Sequence, residues 1–509
     1  MSLQSLILDK PKSALKMLSI MPSSYWQKAG KKLAKSVANG AIDKVPAYRD
    51  FLKNNHYGGK EIATMEDFSQ LPIMDKENYI NCYDLEQKLG EPNLNHHYTV
   101  ERSSGHGGNP LFWPRNYAID KFFSQYIEIA FLQAYRIDVK STLVILTFAL
   151  GTWTSGEKTA DALRRVASSG RYDMTVITPG TSVEEIIEIL SDLSPRYKQT
   201  IIIGYPPFIK TVIDSAIEQK INIKDLKIKI GLGGEGHSIE WRNHILEKIG
   251  ASKNDLAAIS SAYGAADIGI AIGREYPITI LIRNLANKDK DFAKELFGEN
   301  SIIPSLYQYN SSAYIEAVDG ELVFTANNGI PIVRYNIHDA GGVIDYQSMI
   351  NITAAYGYDT TKILKNMGYR SDDIWRLPFF YTYGRSDGTI SVIGANIYPE
   401  NFQSALLSEE TVAIHAFKLG IREDLTSVTR PELHIELNSD ISDLTEAEQS
   451  DLVLKYHDLF INHLKKVNRD FKDAFRSDPK SCDIKVQIHY FGKGPFGHES
   501  AKIKRRYII

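Results

Sequence analysis

Between residues 140 and 265 short apolar runs alternate with amphipathic segments. The runs LVILTF, MTVIT, TIIIGY, KIKIGL and AAISSAYG are separated by stretches whose apolar positions recur at helical spacing. In 183–193, Val183, Ile186, Ile187, Leu190 and Leu193 fall on one helical face, and Ser182 with Glu185 is placed to form a capping box. The alternation predicts βαβ units and a parallel sheet. Such sheets bind ligands beyond the carboxyl ends of their strands. The turns GYPP (204–207), GLGGEG (231–236) and SAYGAAD (261–267) are therefore where chemistry is expected.

The pattern differs on either side. Residues 1–90 read as mostly helical and polar, punctuated by LPIMDKENY at 71–79. After residue 384 come a glycine-bounded hairpin, a helix with Pro399 in its first turn, and the strands AIHAFKLGI and ELHIELN. A long amphipathic helix at about 445–470 and a last strand, DIKVQIHYF, complete a small α+β unit. The expected organisation is α/β: a large N-terminal domain over 1–384 with mostly parallel sheets, and a small C-terminal α+β domain over 385–509.

Composition narrows the function. A chain of 509 residues exceeds one compact core. A net charge of −3 gives no basic excess, which argues against a nucleic-acid binder. The two cysteines, Cys82 and Cys482, provide neither a disulfide framework nor zinc spacing, and fit a reducing cytoplasm. The longest apolar stretch, TLVILTFALGTW (142–153), is too short to span a bilayer, and no transmembrane segment is expected. The first apolar run is broken by DKPK, unlike a signal peptide.

The glycine-rich SSGHGGNP (103–110) offers backbone N–H groups and two hydroxyls to an anion. It lacks the Gly-Lys-Ser/Thr signature of a Walker loop, and Pro110 with an LFW strand follows it instead of a helix. By itself it reads as a phosphate cradle or as a flexible hairpin turn. Glu235 in GGE reads as a ligand contact or a solvated turn residue. Tyr263 suits stacking on a flat ring or partial burial, and Asp267 suits a metal ion or a helix cap.

The succession of SSGHGGNP, GGEGHS (233–238), YGAADIG (263–269), IVRYNIHD (332–339), GRSDGTISVIGANIYP (384–399) and AKIKRRYII (501–509) resembles the motif order of the adenylate-forming superfamily. The resemblance is to its phenylacetate–CoA ligase branch, and VPAYRDF (45–51) and LPIMDKENY extend it upstream. It implies a mobile C-terminal domain and two half-reactions. A carboxylate attacks the α-phosphate of ATP to give an acyl-adenylate, and a thiol, usually coenzyme A, then displaces AMP.

Roles follow by position. The resemblance implies that Ser103, Ser104, Gly105, Gly107 and Gly108 take the outer phosphates, and that Asp267 holds Mg²⁺. Gly234, Glu235, Ala262 and Tyr263 would form the adenine pocket, Asp339 would bind the ribose hydroxyls, and Arg385 would contact the nucleotide. Asp387 would be the hinge, and Lys502 the catalytic cation that bridges the carboxylate and the α-phosphate. Trp153, Tyr205 and Phe208 would line the pocket for a flat or apolar acid. A homodimer is compatible with the resemblance.

The sequence departs from the family at several points. His106 and Asn109 replace threonine and lysine in the loop, Asp267 replaces glutamate, Gly388 follows the hinge, and Ala501 precedes the lysine. Residues 347–378 read as an insertion, and IAIGREYP lacks the branch's cysteine patch. The expected activity is an AMP-forming acid–CoA ligase for an aryl or other small apolar acid. An adenylating enzyme with another acceptor, and a non-catalytic nucleotide-binding homologue, are the alternatives.

Overall fold

The structure is a computed structural model that describes residues 10–90, 94–96, 99–103, 111–151, 153–298, 303–310, 312–386, 390–397, 401–402, 414–423, 429–439, 441 and 443–496. They form two compact units, one of residues up to Ser103 and from Phe112 to Gly384, the other of Leu111 and the residues from Arg385 on.

In the first unit β1 (Thr99–Ser103) pairs with β2 (Leu111–Arg115). The strands that follow are β3 (Thr142–Leu146), β4 (Met174–Ile177), β5 (Gln199–Gly204), β6 (Ile228–Gly233), β7 (Ile259–Ala265) and β8 (Gly269–Arg274). Next come β9 (Ser305–Tyr309), β10 (Tyr314–Val318), β11 (Glu321–Asn328), β12 (Ile330–Ile344) and β13 (Phe379–Arg385). Among the described residues β3 to β13 make one eleven-stranded sheet in the order β10-β11-β12-β13-β9-β8-β7-β6-β5-β3-β4.

Strands β4, β3, β5, β6 and β7 are parallel neighbours. Helix α1 (Tyr117–Tyr135) leads into β3, and α2 (Thr154–Ser168), α3 (Val183–Asp192), α4 (Pro206–Glu218) and α5 (Ile239–Lys248) make the four crossovers. Every residue of β3 and β5 is buried, as expected of strands covered on both faces. In α3 the Ser182 hydroxyl accepts from the Glu185 N–H at 3.3 Å, which is half of the expected capping box.

The parallel pairing stops at β7. The pairs β7/β8, β8/β9, β9/β13, β11/β12 and β10/β11 are antiparallel, more than the βαβ alternation implies. The reason is local for β7/β8, β10/β11 and β11/β12, whose connections are turns too short for a crossover. Asp319 and Gly320 join β10 to β11 with φ of 52° and 82°, the mirror-image turn geometry that suits a hairpin. Gly329 joins β11 to β12 at φ 95°, and a Cβ there would lie 1.8 Å from the Pro114 carbonyl oxygen.

The segment LPIMDKENY reinforces β12. The Met74 N–H donates to the Arg334 carbonyl at 3.1 Å, and the Met74 carbonyl accepts from the Asn336 N–H at 2.8 Å. Residues 347–378, read as an insertion, carry the chain from β12 to its sheet neighbour β13. They form the helices Tyr346–Ala355 and Thr360–Asn366 and place Met349, Leu364 and Trp375 in the core beside the helix Pro277–Ala286.

The second unit holds a hairpin of β14 (Ile390–Val392) and β15 (Ala395–Ile397), and a sheet of β16 (Ile414–Glu423), β17 (Thr429–Leu437) and β18 (Lys485–His489). The β17/β18 pair is parallel, so a crossover is required, and the helices Glu446–Val467 and Arg469–Ser477 supply it. Tyr456, Phe460 and Leu464, four residues apart, form the buried stripe of the first of these helices. Among the described residues no helix is long and apolar enough to cross a membrane.

Candidate active site

A row of small residues opens a cavity on one face of the sheet. In β6 the sequence IKIGLG points Gly231 and Gly233 to the same side, since strand side chains alternate. In β7, Ser260, Ala262 and Gly264 share that side, with Ser260 beside Gly231 and Ala262 beside Gly233 in register. Helix α1 lies over this face and closes it with Phe123, Tyr126 and Phe131, leaving a cavity of about 100 Å³. A Cβ at Gly233 would sit 3.3 Å from the Phe148 ring, and one at Gly231 3.3 Å from Ile203 and 3.5 Å from the Tyr135 hydroxyl. The glycines therefore create the space.

One end of the cavity reaches the GGE and YGAAD turns through Gly234, Ala265 and Ala266. Gly234 has φ 82°, and a Cβ there would meet the Tyr205 ring at 2.5 Å. Tyr205 packs edge to face on Phe148 at 4.7 Å, one ring behind the cavity wall. Phe208 is fully buried inside α4. Trp153 caps the N-terminus of α2 and bridges Arg102 of β1 through its backbone. The rings that face the space are Phe123, Tyr126, Phe131, Tyr135 and Phe148. No motif marks them; the signal was the alternation of small residues in IGLG and SSAYG, which the motif reading passed over.

The other end is polar. Arg274, opposite Ala262 in the β7/β8 pair, is 6% exposed and lines the cavity. Its Nη2 lies 3.4 Å from the Ser260 hydroxyl, and its guanidinium carbon lies 5.9 Å from the Tyr135 ring and 5.8 Å from the Tyr276 ring. The Tyr135 and Ser260 hydroxyls are 3.2 Å apart, as are those of Tyr126 and Tyr276. Burial pushes the Tyr126 and Tyr276 phenols up, so both remain neutral hydrogen-bonding groups.

Across the sheet, Tyr263 points the opposite way from Ala262. Its hydroxyl donates to Asp339 Oδ2 at 2.6 Å, and its ring sits among Phe380 at 5.1 Å, Tyr307 at 5.7 Å and Phe324 at 6.1 Å. Asp267, 5% exposed, accepts from the Tyr335 hydroxyl at 2.9 Å and from the Ile268 N–H at 3.1 Å. Tyr335 and Asp339 both come from β12, which departs from regular extension at Arg334 (φ 50°) and His338 (φ 63°). The Arg115 guanidinium donates to the carbonyls of Ala266 and Asn328 and pairs with Glu101 at 3.0 Å, which ties the YGAAD turn to β1 and β2. Lys158 adds ion pairs to Glu101 at 3.2 Å and Asp120 at 3.4 Å.

A resident metal finds no cage: among the described residues no three His, Cys, Asp or Glu side chains gather to hold one. Asp267, the carboxylate expected to hold Mg²⁺, has both oxygens engaged, Oδ1 by the Ile268 N–H and Oδ2 by the Tyr335 hydroxyl, and each keeps a further lone pair for a cation. Ser103 accepts from the Trp113 indole N–H at 2.8 Å at the end of β1, where the glycine loop begins. Arg385 is the last residue of β13, and Glu235 is half-buried in the turn after β6. Ser104, Gly105, Gly107, Gly108, Asp387 and Lys502 lie outside the described residues.

No family model matches the sequence, and no curated protein does. Solved structures do match. The chain is similar to a 2-hydroxyisobutyryl-CoA ligase in complex with 2-HIB-AMP and CoA in the thioesterification state, with a TM-score of 0.64, 14% identity, and coverage of 97% of this chain and 91% of that one. It is also similar to an open conformation of that ligase with 2-HIB-AMP and CoA, with a TM-score of 0.53, 14% identity, and coverage of 96% and 92%. The postadenylation state with R3-HIB-AMP gives a TM-score of 0.53, 14% identity, and coverage of 97% and 91%. The chain has the α/β fold of the adenylate-forming enzymes.

Proposed function

We propose that this protein is an ATP-dependent, AMP-forming ligase that activates a small carboxylic acid as its acyl-adenylate and passes the acyl group to coenzyme A. The observation that carries the reading is the placement of a cavity of about 100 Å³ against the GGE and YGAAD turns, with the Tyr263–Asp339 pair on the other side of the same strand end. The cavity would hold the acid, and Asp339 would bind the ribose through its vicinal hydroxyls.

The chemistry sets an electrostatic demand. A carboxylate approaching an α-phosphate brings two anions to about 4 Å, a repulsion of about 4 kcal/mol per charge pair at an effective dielectric near 20. Cations and oriented N–H donors must offset it. Mg²⁺ carried by ATP, with Asp267 as its protein carboxylate, would screen the phosphates. The glycine loop from Ser103 to Gly108 would contribute N–H groups, and Gly234, Glu235, Ala262, Tyr263 and Arg385 would frame the nucleotide.

Lys502 would supply the cation between the carboxylate and the α-phosphate, delivered by a C-terminal domain over 385–509 that turns about Asp387. The acid oxygen bonds to the α-phosphorus as the bond to pyrophosphate breaks. The CoA thiolate then attacks the acyl carbon and AMP leaves.

The test is acid-dependent exchange of labelled pyrophosphate into ATP. Exchange that requires both an acid and Mg²⁺ supports the reading. Hydrolysis of ATP to ADP, or ATP turnover indifferent to every acid, would overturn it.

A further inference from the structure

We propose that the acid is a dicarboxylate, activated at one carboxyl and held by Arg274 at the other. The inference rests on the ligase reading and adds the substrate class. Its ground is a charge without a counterion. The protein neutralises or wraps its other buried arginines: Arg115 faces Glu101 at 3.0 Å, Arg283 faces Glu275 at 2.7 Å, and Arg334 faces Glu316 at 3.4 Å. Arg242 is wrapped by the carbonyls of Leu256 and Ile259.

Arg274 is also buried, at 6% exposure, yet among the described residues it meets no carboxylate within ion-pair distance. Its polar contact is one long hydrogen bond to Ser260, and otherwise it has two aromatic rings. A cation withdrawn from water without a partner is costly, and a guanidinium's fork of donors matches a carboxylate. The cavity is where that partner would enter.

Geometry separates the two ends. The guanidinium lies at the level of Ser260, and Gly264 is four residues further along β7, about 13 Å at the usual strand rise. Arg274 therefore does not serve the carboxylate that reacts at the turn. The Ser260 hydroxyl beside the guanidinium offers a further donor to a distal anion. The cavity is smaller than the ~150 Å³ space that admits benzene, and the span between its two ends sets the length, so the chain between the carboxylates is an unbranched aliphatic one of about four methylenes or more. One carboxylate oxygen bonds to the α-phosphorus while the bond to pyrophosphate breaks. The second carboxylate stays ionised on Arg274 throughout.

The experiment compares adipate, pimelate and suberate with hexanoate, heptanoate and octanoate, chain length for chain length, as substrates for pyrophosphate release and acyl-adenylate formation. The wild-type protein is expected to prefer the best diacid by at least about tenfold in kcat/KM over its monoacid partner. Arg274→Gln is expected to lose about 10- to 100-fold on the diacid and little on the monoacid, and Arg274→Lys to recover part of the loss. The wild-type comparison needs no variant to fold. Monoacids equal to or better than diacids in wild type would overturn the dicarboxylate assignment and leave the ligase reading standing. Adenylate from none of the six acids, nor from the aryl acids phenylacetate and benzoate, would overturn both.

Discussion

The Tyr263 hydroxyl donates to Asp339 Oδ2 at 2.6 Å, joining the turn after β7 to β12 across 76 positions of sequence. The tyrosine belongs to YGAAD and the aspartate to IVRYNIHD, so two motifs distant in the chain meet at one hydrogen bond. The bond orients the carboxylate that the proposed mechanism assigns to the ribose.

Replacing that carboxylate should weaken nucleotide binding. Asp339→Ala is expected to lower ATP affinity by about 10- to 100-fold, the range for hydrogen bonds to a charged group. Tyr263→Phe, which keeps the ring and the carboxylate, should lose less than about tenfold. Calorimetric titration of each variant with a non-hydrolysable ATP analogue measures both.

Filling the cavity should affect the acid and spare the nucleotide. Gly233→Val places branched carbon where a Cβ alone would already be 3.3 Å from Phe148. The expected result is at least a tenfold rise in KM for the acid with ATP affinity within about twofold of wild type. Overpacking should also cost about 1–3 kcal/mol of stability, measured by denaturant unfolding.

Removing the proposed cation should split the two half-reactions. Lys502→Ala is expected to reduce acid-dependent adenylate formation by about 100- to 1,000-fold, the scale for loss of one preorganised charge-stabilising group. Transfer from a chemically synthesised acyl-adenylate to CoA should fall less than about tenfold. Stopped-time assays of each half-reaction distinguish this from a general loss of fold.

Acid stability should depend on Glu275. Burial pushes its pKa up, but His237, Arg283 and Arg242 outweigh that and hold it at about 2, below the ordinary 4.5. The carboxylate also accepts the Ser261 N–H at 2.9 Å. A depressed carboxyl pKa contributes stability in full above the unfolded value, and the contribution is lost as pH falls from about 4.5 towards about 2. Glu275→Gln should lower stability at neutral pH by about 3 kcal/mol and flatten its decline over that acid window. Urea unfolding at pH 7, 5 and 3 tests the sign.

Much of the fold was legible because its signals are local. The β3 to β7 runs carry their own periodicity, and Thr445 with Glu448 writes the start of the long C-terminal helix as a capping box. The antiparallel half was less legible, since it depends on turns such as Asp319–Gly320 and on bulged pairing of β12 that no period announces. Motifs placed Tyr263, Asp339 and Asp267 near one strand end. Arg274 escaped notice because an arginine in IAIGREYP carries no signature. Its meaning comes from what lies around it: glycines on neighbouring strands, aromatic rings from α1, and, among the described residues, no facing acid. The segment 347–378 looked like an addition because sequence shows its length and not the core position of Trp375.

The most direct measurement is mass spectrometry of one reaction series: protein, Mg-ATP and an acid panel of diacids, monoacids and aryl acids, with and without CoA. The account predicts an acid-dependent acyl-adenylate that accumulates without CoA and becomes an acyl-CoA with release of AMP when CoA is added. An adenylate that CoA leaves untouched would contradict the CoA assignment, and the absence of any acyl-adenylate across the panel would contradict the account itself.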